Sequence, residues 1–427
     1  MLKNKYLQHK ETIHNFIWRA LQIGGKYGVT FLIFILAAKL LIPYDFGIYN
    51  YVLAIVFLLI MFADFGISTA TSKYVAEYNV TDKEKLKSVL FNSGIIILGL
   101  AIVISLITIF FGKFYLGDKY IYVLYLLPLI FLIPMTSLYD GIYRGLKKFK
   151  YLSIISIFVG LFSLTFVYFL IKQYGLTGAL IAQNLFYFIL FLALAFGYKE
   201  FHFKLNKSVM KEIGKYSAYV GIAIIGYYLF SRVDILILGH YGYIKEIATY
   251  ELLNKIFLVL LVPFTILGKV VAPNFTRDMA NKKYKKIESK LNKYIFILLI
   301  TGILFFIISY FVLPSLVNIL FNRYYNSEFY KIFLPTLAIY SLLAYAVIIN
   351  TGIIVSLGKA KLMTHLNIFL AVFNLTLSLI LLGTFGFIGV IYATLVSTFF
   401  GVLTLHLIFI RYIKKLSKYG WEVGLRS

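Results

Sequence analysis

The sequence predicts an all-α integral membrane protein, with twelve transmembrane helices arranged as two six-helix lobes. Three observations carry this. Hydrophobic residues make up 61% of the chain and charged residues 14%, and the mean hydropathy is +0.88; soluble domains carry about 25% charged residues. Twelve apolar segments, each longer than 20 residues, recur along its 427 residues, and about 20 residues at 1.5 Å rise suffice to cross a bilayer. A set of short motifs then repeats between the first six segments and the last six.

In order, the segments run over 15–41, 46–68, 87–111, 119–139, 150–171, 175–198, 212–238, 246–271, 291–313, 331–355, 361–382 and 386–411. Helices fit them, because barrel strands would alternate polar and apolar residues in stretches of about 10. The first segment carries a polar stripe of Asn15, Arg19, Gln22, Lys26 and Thr30 at helical spacing. Lys26 lies about 16 Å in from Asn15 by helix rise, near the middle of a hydrocarbon core about 30 Å thick. A cation is costly at that depth in lipid, so the stripe is expected to face protein or water. Snorkelling suits Arg19 but not Lys26.

The second segment places Asn50, Ala54, Phe57, Met61 and Asp64 on one face. Asp64 is about 27 Å from Phe46 along the helix and so close to the inner interface. The seventh has Tyr216, Tyr227, Ser231 and Asp234 along one side, with Arg232 nearby and close to the outer end. Arg232 and Asp234, two residues apart, do not face each other on a regular helix. In the eighth, Glu251 and Lys255 are four apart and positioned to pair. Lys255 lies about 14 Å in from the outer side. Lys269 sits near the inner end, where it can snorkel. Lys26 and Lys255 are thus two mid-depth cations, one in each half. The candidate substrate-binding residues are Arg19, Gln22, Lys26, Arg232, Glu251 and Lys255. Asp64 and Asp234 are the candidates for coupling to an ion.

The formal net charge is +25. In a soluble chain that would point to nucleic acid. Here the cations lie in short loops between apolar segments, and no nucleic-acid partner is expected. With the N-terminus in the cytoplasm, 30 of the 42 Lys and Arg residues fall on the cytoplasmic side, 7 outside and 5 within helices. This strong positive-inside bias places both termini in the cytoplasm of a multi-pass cell-membrane protein, with anionic lipid as a surface partner. Trp18 and Trp421 fall near the same side, where interface anchors collect. The lysine-rich loops 72–87, 198–211 and 277–290 are each either an amphipathic surface stretch or a solvated charge run. There is no cysteine, which excludes disulfides and thiolate metal sites. The six histidines show no ligand spacing, so no metal or cofactor is expected. The first apolar segment is too long for a cleavable signal, and no small-residue cleavage site follows it.

The repeat is specific in position. Arg144-Gly145-Leu146-Lys147-Lys148-Phe149 opens the fifth helix, and Ser356-Leu357-Gly358-Lys359-Ala360-Lys361 opens the eleventh. Downstream, Tyr174-Gly175-Leu176-Thr177-Gly178-Ala179 matches Phe385-Gly386-Phe387-Ile388-Gly389-Val390, and Gly47-Ile48-Tyr49 echoes Ala248-Thr249-Tyr250. Two lobes follow, 1–208 and 209–427, each with the same topology and related by a pseudo-twofold axis along the membrane normal.

Several of these stretches resemble the Wzx-type polysaccharide flippases of the multidrug/oligosaccharidyl-lipid/polysaccharide exporter superfamily. They are Ile42-Pro43-Tyr44-Asp45-Phe46-Gly47-Ile48-Tyr49, Asp64-Phe65-Gly66-Ile67 with Lys73-Tyr74, Tyr143 to Phe149, and Asp234-Ile235-Leu236-Ile237-Leu238-Gly239 followed by Ala248-Thr249-Tyr250. The resemblance spans essentially the whole chain. It implies a MATE-like fold, two lobes around a central cavity open to one side at a time. It also implies transport of a lipid-linked oligosaccharide from the inner to the outer leaflet, with glycosyltransferases or a polymerase of the same pathway as partners. The chain departs from the lipid II flippase pattern, which has two further helices. It also lacks the acidic residue that many multidrug exporters place in the first helix.

The residue chemistry is compatible with that function. A polyprenyl diphosphate sugar is an anion with an apolar tail, and a shielded Lys or Arg holds phosphate by charge-assisted hydrogen bonds. Tyrosine rings and hydroxyls suit sugar faces and oxygens. A cation or drug antiporter on the same fold is the alternative, and it would favour a mid-membrane carboxylate, whereas Asp64 and Asp234 sit nearer the ends. A membrane glycosyltransferase or polysaccharide polymerase would want acidic residues clustered in a large outer loop, but Asp118, Glu246 and Glu328 are isolated there. No catalytic residues are assigned.

Overall fold

The computed structural model describes residues 18, 21–22, 24–25, 28–199, 202–348 and 360–419. All regular structure among them is helical. The chain divides into two compact units, Met1–Tyr228 and Leu229–Ser427.

The first unit begins with α1 (Gly28–Leu40). Next come α2 (Pro43–Asp64), α3 (Ile67–Thr81), α4 (Lys83–Leu116), α5 (Tyr120–Tyr125), α6 (Leu129–Gly145) and α7 (Phe149–Phe196). The boundary between the units falls inside α8 (Lys207–His240), and the second unit continues through α9 (Ile244–Ala280), α10 (Tyr284–Leu320), α11 (Phe329–Ile348), α12 (Ala360–Phe385) and α13 (Phe387–Tyr419). Nine helical runs among the described residues are long and apolar enough to cross a bilayer. The 48-residue α7 holds two of the expected segments, joined at Gly175. The fourth segment is divided between α5 and the 17-residue α6, and α1 is the longest described run of the first. Each of the twelve expected segments thus has a helix among the described residues.

Local chemistry sets the boundaries. Pro43 stands in the first turn of α2, where its missing N–H costs nothing. Phe65 and Gly66, both left-handed, separate α2 from α3. Asp82 caps α4 by accepting from the amides of Glu84 and Lys85 at 3.1 and 3.0 Å. Asn206 does the same for α8 through Ser208 and Val209. Gly175 has φ 55° and ψ −129°, a conformation closed to L side chains, and Gly386 repeats the positive φ at 62°.

The lysine-rich loop regions prove largely structured. The stretch 72–87 is the end of α3 and the start of α4, and Val75, Tyr78 and Leu86 are buried in the unit's core. The stretch is two-faced: α3 packs its buried side along α6 and α4, while Lys73, Glu77, Val80 and Lys83 stay exposed. The stretch 277–290 likewise closes α9 and opens α10. Within 198–211, Asn92 of α4 ties down the connecting chain, donating to Lys204 O at 3.0 Å and accepting from Asn206 N at 2.9 Å.

In the second unit, Phe257 of α9 stacks on Phe333 and Tyr340 of α11, with ring centroids 6.2 and 5.1 Å apart. Ile287, Leu298, Leu370, Leu405 and Ile413 join α10, α12 and α13 in a second core.

Candidate functional site

The second unit builds an ion cluster between α8 and α9. The tight turn after His240 lays the two helices side by side, so residues near the end of one meet residues near the start of the other. Arg232 Nη1 lies 2.7 Å from Glu251 Oε1. Asn254 Nδ2 donates to the same oxygen at 3.0 Å. Tyr250 donates its hydroxyl to Asp234 Oδ2 at 2.5 Å, and the Ile235 amide donates to Asp234 Oδ1 at 2.8 Å. Lys255, one turn beyond Glu251, interacts electrostatically with it. Asp234 and Glu251 are each only 3% exposed, whereas Arg232 and Lys255 are half-buried. The two acids are thus the more deeply buried charges of the cluster.

Sequence spacing pointed to Lys255 as the partner of Glu251. Lys255 does interact with Glu251, and the shortest contact, at 2.7 Å, adds Arg232 from the neighbouring helix, which single-helix periodicity does not reveal. The expectation that Arg232 and Asp234 point apart agrees with their separate partners.

The first unit holds a smaller cluster. Gln22 donates to Asp140 Oδ1 at 2.6 Å, and Arg144 Nε lies 2.7 Å from Asp140 Oδ2. Asp140 on α6 was not singled out from the sequence, although its i,i+4 spacing to Arg144 was a usable signal. Asp64 accepts from the amide of Ser68 at 3.2 Å and from the Ser68 hydroxyl. It thus fastens the start of α3 across the Phe65–Gly66 break. Arg19 and Lys26 lie outside the described residues, as does the side chain of Lys269.

A third group, also unread in the sequence, joins α3, α4 and α8. Glu212 accepts from Tyr78 at 2.5 Å, Lys85 at 2.9 Å and Ser208 at 2.7 Å. Beside it, the Lys73 ammonium sits 4.3 Å from the ring centre of Tyr74 and 4.6 Å from that of Tyr216, close enough for cation–π attraction.

The fold is similar to that of an inward-facing multidrug resistance MATE family transporter of the MOP superfamily, with a TM-score of 0.73 at 15% identity over 93% of this chain and 96% of that one. It is also similar to the lipid II flippase MurJ, with a TM-score of 0.69 at 17% identity over 94% of this chain and 89% of that one. In sequence, an uncharacterized membrane protein of Methanocaldococcus jannaschii is 27% identical over 87% of this chain and 91% of its own length. A second from the same organism is 23% identical over 93% and 83%. The apolar helices and the fold define a multi-pass membrane protein with the architecture shared by the MATE transporter and the MurJ flippase. The chain belongs to the family described as polysaccharide biosynthesis protein, which matches residues 12–279; the MatE family matches residues 220–380.

Proposed function

We propose that this protein moves a lipid-linked oligosaccharide, a polyprenyl diphosphate sugar, from the cytoplasmic to the outer leaflet by alternating access of its two lobes. The observation that carries the reading is the placement of charge around Glu251. Both acids of the cluster are buried, and the more exposed charges are Arg232 and Lys255, so a ligand reaching the cluster meets cations first. A guanidinium brings five N–H donors and an ammonium three, a donor-rich surface suited to phosphate oxygens. Membership of a polysaccharide family supports the same substrate class. In this reading both termini are cytoplasmic, and Lys26 supplies a second cation from the lobe 1–208 while Lys255 serves the lobe 209–427. Pathway glycosyltransferases or a polymerase deliver and consume the substrate.

A second reading, a cation-coupled drug antiporter, is favoured by the MatE family match over residues 220–380. Binding measurements on the purified protein separate the two. Tighter binding of a polyprenyl diphosphate oligosaccharide than of organic cations supports the flippase. Proton- or sodium-driven efflux of cationic dyes with unchanged surface glycan supports the antiporter.

A further inference from the structure

Lys73 and Tyr74 of α3 meet Tyr216 of α8 in a small cradle within the first unit. The Lys73 ammonium lies 4.3 Å from the ring centre of Tyr74 and 4.6 Å from that of Tyr216, and the two rings meet edge to face at 6.1 Å. The rings are themselves held. Tyr74 stacks on Tyr78 at 5.6 Å, and the buried Tyr78 is bonded to Glu212, one turn before Tyr216. Lys73 is exposed, and both cradle tyrosines are half-buried. About 45 Å of helix rise separates Pro43 from Lys73, close to the thickness of a bilayer with its head groups. With the lysine-rich side in the cytoplasm, the ammonium stands at the level of the inner-leaflet head groups.

The charge of this ammonium is not spent on an acid. Glu212 is engaged by Tyr78, Lys85 and Ser208. Glu77, one turn after Lys73, makes no ion pair with it, and no other carboxylate among the described residues does. The hydroxyls of Tyr74 and Tyr216 likewise have no hydrogen-bond partner among the described residues, and neither is sealed from solvent. The ammonium covers the ring faces, so they are not open to stack on a sugar. What remains accessible is the ammonium with its N–H donors and two phenolic O–H groups. A cationic ligand would be repelled. Donors gathered around a fixed positive charge suit the oxygens of a phosphate.

We propose that Lys73, Tyr74 and Tyr216 form a first contact for the phosphate group of a lipid carrier in the inner leaflet. The phosphate chemistry follows from the donors of the cradle. That the phosphate is the diphosphate of a polyprenyl carrier rests on the proposed function. The cradle belongs to the first unit, whereas the Arg232–Glu251 cluster belongs to the second.

The test uses the full chain in phosphatidylcholine nanodiscs and a polyprenyl diphosphate bearing a diazirine on the isoprene next to the phosphate. Adducts, mapped by mass spectrometry, are expected on 67–81 and 211–219. Lys73→Gln should lower them about 10- to 150-fold, the loss of a charged hydrogen bond, and Lys73→Arg should keep most of them. Tyr74→Phe with Tyr216→Phe keeps the rings, removes the hydroxyls and should lower the adducts several-fold. Lys215 is exposed and makes no ring contact, so Lys215→Gln should change nothing. Undiminished labelling in Lys73→Gln, an equal loss in Lys215→Gln, or full competition by excess phosphatidylglycerol overturns the proposal. So does a purely structural result, a lowered unfolding midpoint in Lys73→Gln with labelling per folded molecule unchanged. Glycan export is read in parallel. Export that depends on the chain but not on Lys73, with adducts elsewhere, removes the cradle and leaves the proposed function standing. Cradle adducts that Lys73→Gln abolishes, in a chain on which no glycan export depends, remove the function and leave the phosphate site standing.

Discussion

The carbonyl oxygen of Leu170 occupies the place that a Cβ on Gly178 would need, and Leu381 stands in the same relation to Gly389. In both cases the glycine lies three residues after a positive-φ glycine, Gly175 or Gly386, and the oxygen belongs to the helix just left. Each turn folds a helix back so tightly that only glycine fits. Gly178→Ala and Gly389→Ala should each cost roughly 1–3 kcal/mol, the usual range for overpacking, read as a lowered midpoint of thermal unfolding in detergent. Gly99, with nothing within 4 Å of a built Cβ, is the control. Its change to Ala should be neutral or stabilising by up to about 1 kcal/mol. Equal unfolding midpoints for all three variants would refute the tight-turn account.

The Arg232–Glu251 pair yields a second expectation. Removing one partner of a buried ion pair costs about 3–5 kcal/mol, because the other charge stays behind in a poor solvent. Glu251→Leu should destabilise strongly. Glu251→Gln keeps an acceptor for Asn254 and Arg232 and should cost less. Chemical unfolding of the purified variants measures the order, and a Leu variant as stable as the Gln variant contradicts the pairing.

Much of this architecture was legible in the sequence, and the reason is the period of the pattern. Hydrophobic runs of bilayer length mark spans without any knowledge of neighbours. The Gly175/Gly178 and Gly386/Gly389 motifs marked the repeat because glycine at both places is dictated by backbone sterics. The helical identity of 72–87 was hidden because α3 buries Val75 and Tyr78 against elements distant in sequence. Partners across helices were hidden for the same reason. Glu251 has a lysine at i+4, yet its shortest ion contact comes from Arg232, 19 residues earlier. Asp140 was passed over because its link to Gln22 spans 118 residues.

Acid should loosen the junction of α9 and α10. Lys290 Nζ lies 2.8 Å from one Asp278 oxygen and Lys286 Nζ 3.7 Å from the other. The Lys290 hydrogen bond, aided by the charges of Lys286 and Arg277, holds the Asp278 carboxyl below its ordinary value. The folded state therefore binds this proton less readily than the unfolded state. The contribution is complete above the unfolded value of about 3.9 and is lost as pH falls through the lower folded value. Hydrogen exchange at 278–290 should accelerate below about pH 4, and Asp278→Asn should abolish that pH dependence. A wild-type rate flat across this range contradicts the assignment.

Orientation is open to direct labelling, since the chain has no cysteine. Single cysteines replacing Lys83 and Lys283 should react only from the cytoplasmic side, and one replacing Asn326 only from outside. The 30-to-7 loop bias motivates this. Labelling of position 283 by an impermeant reagent in intact cells would reverse the topology.

Lys255 carries the sharpest test of the cationic mechanism. It is half-buried beside the Glu251 cluster, at a depth where a cation is retained only with a partner or a role. If it contacts a diphosphate, Lys255→Ala should weaken binding by the worth of a charged hydrogen bond, roughly 1.5–3 kcal/mol, or about 10- to 150-fold. Lys255→Arg keeps the charge while altering its geometry, so it should retain more activity than the Ala variant. Lys26→Ala should behave like Lys255→Ala if the two lobes grip one ligand. A structural role alone predicts otherwise: the Ala variants would lose membrane abundance and unfolding midpoint together, with binding per folded molecule unchanged. Glycan export in cells lacking the native protein, normalised to membrane levels, distinguishes these outcomes. Normal export by both Ala variants at normal levels would leave the fold intact and remove the cationic site from the mechanism.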